Sequence, residues 1–185
     1  MGWFGRLRGN QSTTPDLPHQ VPDLEATLPD AIAGRPLRRW SVVGKALWRV
    51  LGVDPVRSGW TEEFRTLGVS TDAIAMAVTG RSDARQDPPY ISWAVRFGKL
   101  EGPALTSPAP SSLAMAVMTV DPNQGANWIV KSIAGKAVLV GHPGMVRQDD
   151  HHRGLPVVHV GRTAIYAVIA EDDAWIEEVI AGLPA

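Results

Sequence analysis

Cysteine is missing from this chain of 185 residues. That excludes disulfides, thiolate chemistry, cysteine-ligated zinc and iron–sulfur clusters. An excess of one charge is missing too. Eighteen basic residues stand against nineteen acidic ones, for a net charge of −1, so the broad basic face that displaces counterions from nucleic acid is not expected. No apolar run approaches the roughly 18 residues of a membrane span. The opening MGWFGRLRG carries two arginines with no apolar segment behind them, which does not fit a secretory signal, and Arg6 breaks the myristoylation pattern. The expected location is the cytoplasm, with Trp3 and Phe4 as the residues best suited to any membrane-surface contact.

Phenylalanine and tyrosine are scarce, three and two, whereas tryptophan is abundant at seven. Each indole offers a large apolar area and one N–H that needs a partner when buried, so several rings are expected half inside the core. With 44% hydrophobic and 20% charged residues, the composition is that of a globular domain, and the length suits one domain. Residues 1–23 contain the polar, proline-bearing stretch with Pro15, Pro18 and Pro22, and read as a flexible arm. The folded domain is expected over 24–185.

Along that domain, Leu37–Val43 reads as a strand, Lys45–Leu51 as a short helix stopped by Gly52, and Thr61–Leu67 as a second helix with Thr61 as its N-cap. Asp72–Thr79 alternates, with Ile74, Met76 and Val78 on one side. Tyr90–Phe97 is the clearest strand: Ile91, Trp93, Val95 and Phe97 share one face, and Ser92, Ala94 and Arg96 share a wetter one. Ser111 or Ser112 opens a helix reaching Val120. Asn127–Ile133 and Lys136–Val140 form a hairpin around Ala134-Gly135, and Pro156–Val160 and Thr163–Ala170 form another around Gly161-Arg162. A helix over Asp172–Leu183, with Ile176, Val179, Ile180 and Leu183 as its apolar stripe, closes the chain. The fold class expected is α+β: an antiparallel sheet with helices packed on one face, built from two strand–turn–strand–helix units, 72–120 and 156–183.

The stretch LEATLPDAIAGRPLRRWSVVG, followed by WIVKSIAGKAVLVGHPG and VVHVGRTAIYAVIAEDDAWIEEVIAGLP, resembles a family of small bacterial α+β domains that open "LEALLP…GxPL" and close with a hairpin and a helix ending "ALP". The resemblance spans Leu24 to Pro184. The family it points to has no assigned activity, so it implies a fold and no catalytic residues.

Chemistry has few places to sit. His142, Asp149, Asp150, His151 and His152 are candidate metal ligands, since imidazole and carboxylate together hold zinc, manganese or iron. Adjacent histidines converge only through a special turn, however, and the spacing matches no metal motif. A solvated loop explains them as well. His159, in VVHVG, reads as a hydrogen-bonded sheet residue. The pairs Glu62-Glu63, Asp172-Asp173 and Glu177-Glu178 fall on helix surfaces or first turns, where they complement dipoles. No nucleophile elbow, Walker loop or dinucleotide fingerprint occurs. Trp40, with Arg38 and Arg39, is a candidate partner-binding patch. Two functions follow. One is a non-enzymatic protein-binding or self-associating module with no cofactor. The other is a metal-dependent hydrolase using the His142–His152 loop.

Overall fold

The computed structural model describes residues 17–80, 90–101, 128–141, 156–170 and 172–185. The expected helix from Ser111 to Val120, the His142–His152 loop, and Trp3 and Phe4 lie outside them.

A short helix, α1 (Pro22–Glu25), leads into a two-stranded hairpin of β1 (Ala31–Ile32) and β2 (Arg35–Pro36). Next come β3 (Arg38–Val43), α2 (Lys45–Leu51), α3 (Trp60–Thr66), a 3-10 turn at Thr71–Ala73, β4 (Ile74–Gly80) and β5 (Tyr90–Phe97). After them follow β6 (Trp128–Ile133), β7 (Lys136–Gly141), β8 (Val157–Val160), β9 (Ile165–Ala170) and α4 (Asp173–Gly182). Among the described residues the large sheet has seven strands in the order β3-β4-β5-β9-β8-β7-β6, every neighbour antiparallel. Two meanders, β3-β4-β5 and β7-β8-β9, thus join through β5 and β9, and β6 extends the second to an edge.

The α+β class and the antiparallel sheet are as the alternation implied. The placement of the helices is not, because both faces are covered. On one side Trp40, Val42, Ile74, Met76, Val78, Trp93 and Val95 pack with Leu47 and Trp48 of α2 and Phe64 of α3. On the other, Ala75, Ala77, Ala94, Tyr166 and Val168 pack with Leu24 of α1 and with Ile176, Val179 and Ile180 of α4. The face of β5 read as wetter is dry at Ser92 and Ala94, which are fully buried, and reaches the surface only at Arg96, whose side chain is 31% exposed. Small side chains there mark close approach of a second layer, since a helix seats nearer a sheet when alanine and serine line it. Tyr90 donates its hydroxyl to Ser92 Oγ at 2.9 Å, which satisfies that serine without water.

The fold also begins before Leu24. Leu17 packs on the α2/α3 side, and residues 18–20 run beside β3. Ser41 N–H donates to Pro18 O at 2.8 Å, Gln20 N–H donates to Ser41 O at 3.2 Å, and Gln20 Oε1 accepts from Val43 N–H at 2.9 Å. Proline at the start of α1 suits a first helical turn, where its missing N–H is no loss.

The predicted stop of α2 at Gly52 holds, with that residue left-handed at φ 67°. Thr61 does not cap α3. The helix begins one residue earlier, after Gly59, and Thr61 N–H is taken by Pro55 O at 3.0 Å. What fixes that start is aromatic packing: Trp60 lies edge-on to Trp48 (ring centroids 5.6 Å apart) and to Phe64 (6.0 Å). Trp48 also donates Nε1–H to Thr71 O at 3.1 Å. In α4, Asp172 is the N-cap, its Oδ1 accepting from Ala174 N–H at 2.8 Å, and the whole predicted stripe is buried. Lys136, the first residue of β7, closes the other end by donating Nζ to Ile180 O at 2.9 Å, Ala181 O at 3.2 Å and Leu183 O. A cation among the last carbonyls of a helix complements its dipole.

Candidate functional site

Two polar clusters inside the described residues have the composition of a reactive site. In the first, Glu25 is buried. Its Oε1 accepts from Ser41 Oγ at 2.5 Å, and its Oε2 lies 2.8 Å from His19 Nδ1. Serine, histidine and a carboxylate together invite comparison with a hydrolytic triad. The order of contacts differs from that of a triad. The carboxylate, not the imidazole, accepts the serine hydrogen bond, so the imidazole is not placed to act as general base on the hydroxyl. Ser41 is fully buried, and its oxygen is already the acceptor for Val21 N–H at 2.7 Å. The cluster therefore clamps the segment before α1 onto β3. Ser41→Ala removes the partner of a buried carboxylate oxygen and of a main-chain N–H together. It is expected to cost about 2 kcal/mol, measurable by denaturant unfolding, while Thr at the same position retains most of the stability.

The second cluster is the ion pair of Asp23 with Arg96 Nη1 at 2.6 Å. It lies at an open groove of about 670 Å³ also lined by Gln20, Val21, Lys99 and Glu101. The hydrogen bond from the Arg96 guanidinium holds the Asp23 carboxyl below its usual range. Opposite charges are balanced along this groove, so no one class of ion is favoured there.

Buried titratable groups elsewhere serve the fold. His159 is 6% exposed, with Nδ1 at 3.2 Å from Ala137 O and Nε2 at 3.1 Å from Pro184 O. Each ring nitrogen faces a main-chain carbonyl, so the imidazole is the hydrogen-bonded sheet residue its strand position suggested. It ties β8 to β7 and to the segment after α4. Among the described residues no three of His, Asp and Glu gather as a metal site. The chain's two tyrosines, Tyr90 and Tyr166, are both buried on the α1/α4 face, and burial pushes both phenols up from 10.0. A neutral buried phenol favours the fold; that contribution is complete below the unfolded value and is lost as pH rises from there through the raised folded value. Native protein is therefore expected to show less tyrosinate absorbance at a pH of about 10 than the unfolded chain does, with Tyr90 the more strongly suppressed. Tyr90 should then ionise only as the protein unfolds in stronger alkali. Half-ionisation of a folded sample near the free phenol value would contradict this burial.

Of the predicted partner-binding patch, Trp40 is 6% exposed and belongs to the core, because its indole points to α2. Arg38 is exposed and Arg39 half-exposed; they stay at the surface without the aromatic ring.

The outer strand of the sheet is different. β6 pairs with β7 on one side. Two of its apolar residues are uncovered, Ile129 at 48% exposure and Val130 at 72%, while Trp128 and Ile133 at its ends are half-buried. The hairpin between the two strands fixes which peptide groups point outward. Ala134 and Gly135 both have positive φ, 49° and 76°, in a two-residue turn between Ile133 and Lys136. That geometry makes Ile133 and Lys136 a hydrogen-bonded pair. Alternation then assigns the N–H and C=O of Ile129, Lys131 and Ile133 to the β7 ladder. Those of Trp128, Val130 and Ser132 point away from it. The far side of the hairpin agrees, since Gly141, the partner of Trp128, sends its N–H to Pro156 O at 2.9 Å, towards β8. Among the described residues nothing pairs with the three outward groups. Sequence reading finds this strand but not its exposure. The available signal is Ile129-Val130, two large apolar residues in succession, which must lie on opposite faces of any strand.

Neither a family model, nor a curated protein, nor a solved structure matches the chain. Among the described residues no helix is long and apolar enough to cross a membrane.

Proposed function

We propose that the chain is a non-enzymatic binding module that takes up an extended partner strand along the outer edge of β6. The observation that carries the reading is the combination of three outward peptide groups with Val130 at 72% exposure. An unpaired edge of this kind is a template for strand addition, in which main-chain hydrogen bonds give affinity and alternate side chains give selectivity. Two further facts support it. The Glu25 and His159 clusters are occupied in holding segments together. The sheet inward of β6 is also packed on both faces. The cytoplasm, and kinship with the small bacterial α+β domains described above, belong to the same proposal on sequence grounds alone.

The test is site-specific photo-crosslinking in producing cells. A photoreactive residue replaces Val130, and a control replaces Val56, which is equally exposed at 73% but lies in the loop before α3. The expected result is a discrete adduct from position 130 and none from position 56. Equal, diffuse labelling from both positions would sink the reading.

A further inference from the structure

We infer that the strand taken up by this edge is the β6 of a second copy of the chain, laid antiparallel with Val130 facing Val130. The inference rests on the docking edge proposed above.

The outward groups of β6 belong to every second residue, Trp128, Val130 and Ser132. Two copies related by a two-fold axis along the sheet normal pair all three at once in one register, with Trp128 opposite Ser132 and Val130 opposite itself. Three such pairs exchange about six main-chain hydrogen bonds. Sliding one strand by a single residue sets outward groups against inward ones and removes the bonds. Sliding so that Lys131 meets Lys131 sets two ammonium groups face to face, which is unfavourable for directly opposed side chains. Sliding the other way leaves Ser132 facing residues before the strand. The fully paired register instead places Lys131 opposite Ile129, whose 48% exposed side chain gives the lysine stem an apolar surface to lie on.

Side chains agree with the main chain. A two-fold axis along the sheet normal keeps each face continuous, so Trp128, Val130 and Ser132 of both copies extend the α2/α3 side. The indole Nε1 of Trp128 is buried and lacks a hydrogen-bond partner among the described residues. That nitrogen is closed off within one chain and takes no part in the seam; in the favoured register Ser132 of the second copy stands across from the Trp128 main chain. A net charge of −1 puts little long-range repulsion between copies. One short strand pair is a small interface, at the low end of those that hold proteins together, so the dimer is concentration-dependent and reversible.

The absence of cysteine makes the register directly readable. In Val130→Cys the two thiols lie on residues about 5.5 Å apart at Cα, within disulfide range. Oxidised dimer should form roughly tenfold faster than in Ile129→Cys or Lys131→Cys alone, whereas those two variants should link to each other when mixed. In parallel, sedimentation of the unmodified chain up to about 100 µM should show a growing dimer. Val130→Lys, at a surface position where folding is expected to survive, should weaken that dimer at least about tenfold. Fastest linking from Lys131→Cys, a dimer indifferent to Val130→Lys, or a monomer throughout the range would each overturn the inference. A position-130 adduct to a different protein, with the purified chain monomeric, would overturn it while leaving the docking edge intact.

Discussion

Trp93→Ala should destabilise the protein by about 4 kcal/mol, the largest loss expected from truncating any one side chain. Trp93 is the largest fully buried side chain among the described residues, at 0% exposure in the centre of β5. It stands opposite Val78 of β4 on one side and Ala167 of β9 on the other. It therefore bridges the two meanders at the strand where they join. Truncation removes an area that nothing nearby can replace. Val78 is held in a paired strand, and Ala167 has no length with which to reach across, so the surroundings collapse poorly and a cavity remains. For a chain of this size the melting temperature should fall by roughly 8–16 °C, read by thermal unfolding. Trp93→Phe keeps most of the apolar volume and should lose much less. A shift of only about 1 kcal/mol for the alanine variant would mean that the centre of the sheet is packed differently.

Gly44→Ala should cost about 3 kcal/mol, from backbone strain and overpacking together. Gly44 sits between β3 and α2 at φ 54° and ψ −127°, a conformation that side chains resist. A Cβ there would lie 2.8 Å from the main-chain oxygen of Asp72. Neither partner can retreat easily. Gly44 N–H is bonded to Ile74 O at 2.9 Å, where β4 begins, and Asp72 lies in the 3-10 turn leading into it. Gly34 is the internal comparison. It has φ 71°, and a methyl group added there would meet nothing within 4 Å, so Gly34→Ala carries the backbone strain alone, about 1 kcal/mol. The difference between the two variants in denaturant unfolding measures the close approach at Gly44 together with its stricter backbone conformation. Equal losses would contradict it.

Strands with turn signals at both ends are legible from sequence. Tyr90–Phe97 is delimited to the residue, because it alternates and is followed by Gly98. The Ala-Gly turn marks the β6–β7 hairpin, and the 3.6-residue stripe marks α4. The covering of both faces is not legible, because alternation of large and small residues looks like alternation of buried and wet ones. Ser92 and Ala94 are dry only because α1 and α4 arrive from distant parts of the chain. The Glu25 cluster is hidden for a related reason: His19, Glu25 and Ser41 are spread over more than twenty residues, and the prolines around His19 give that segment the composition of an arm. Trp40 looks available beside Arg38 and Arg39 in sequence, but in a strand it points away from Arg39 and into the core. The edge position of β6 is a property of topology. A hairpin sequence states that two strands pair; it does not state which of them the rest of the sheet will join.

The most direct test of the docking edge is amide hydrogen exchange resolved to single residues along β6, in dilute protein and again at about 100 µM. The expected result is a two-residue alternation in the dilute sample. Ile129, Lys131 and Ile133 should be slow in the β7 ladder, and Trp128, Val130 and Ser132 fast. The fast three should then slow together on concentration. If those three amides are already slow in the dilute monomer, the edge is satisfied within the chain and no strand remains to be added.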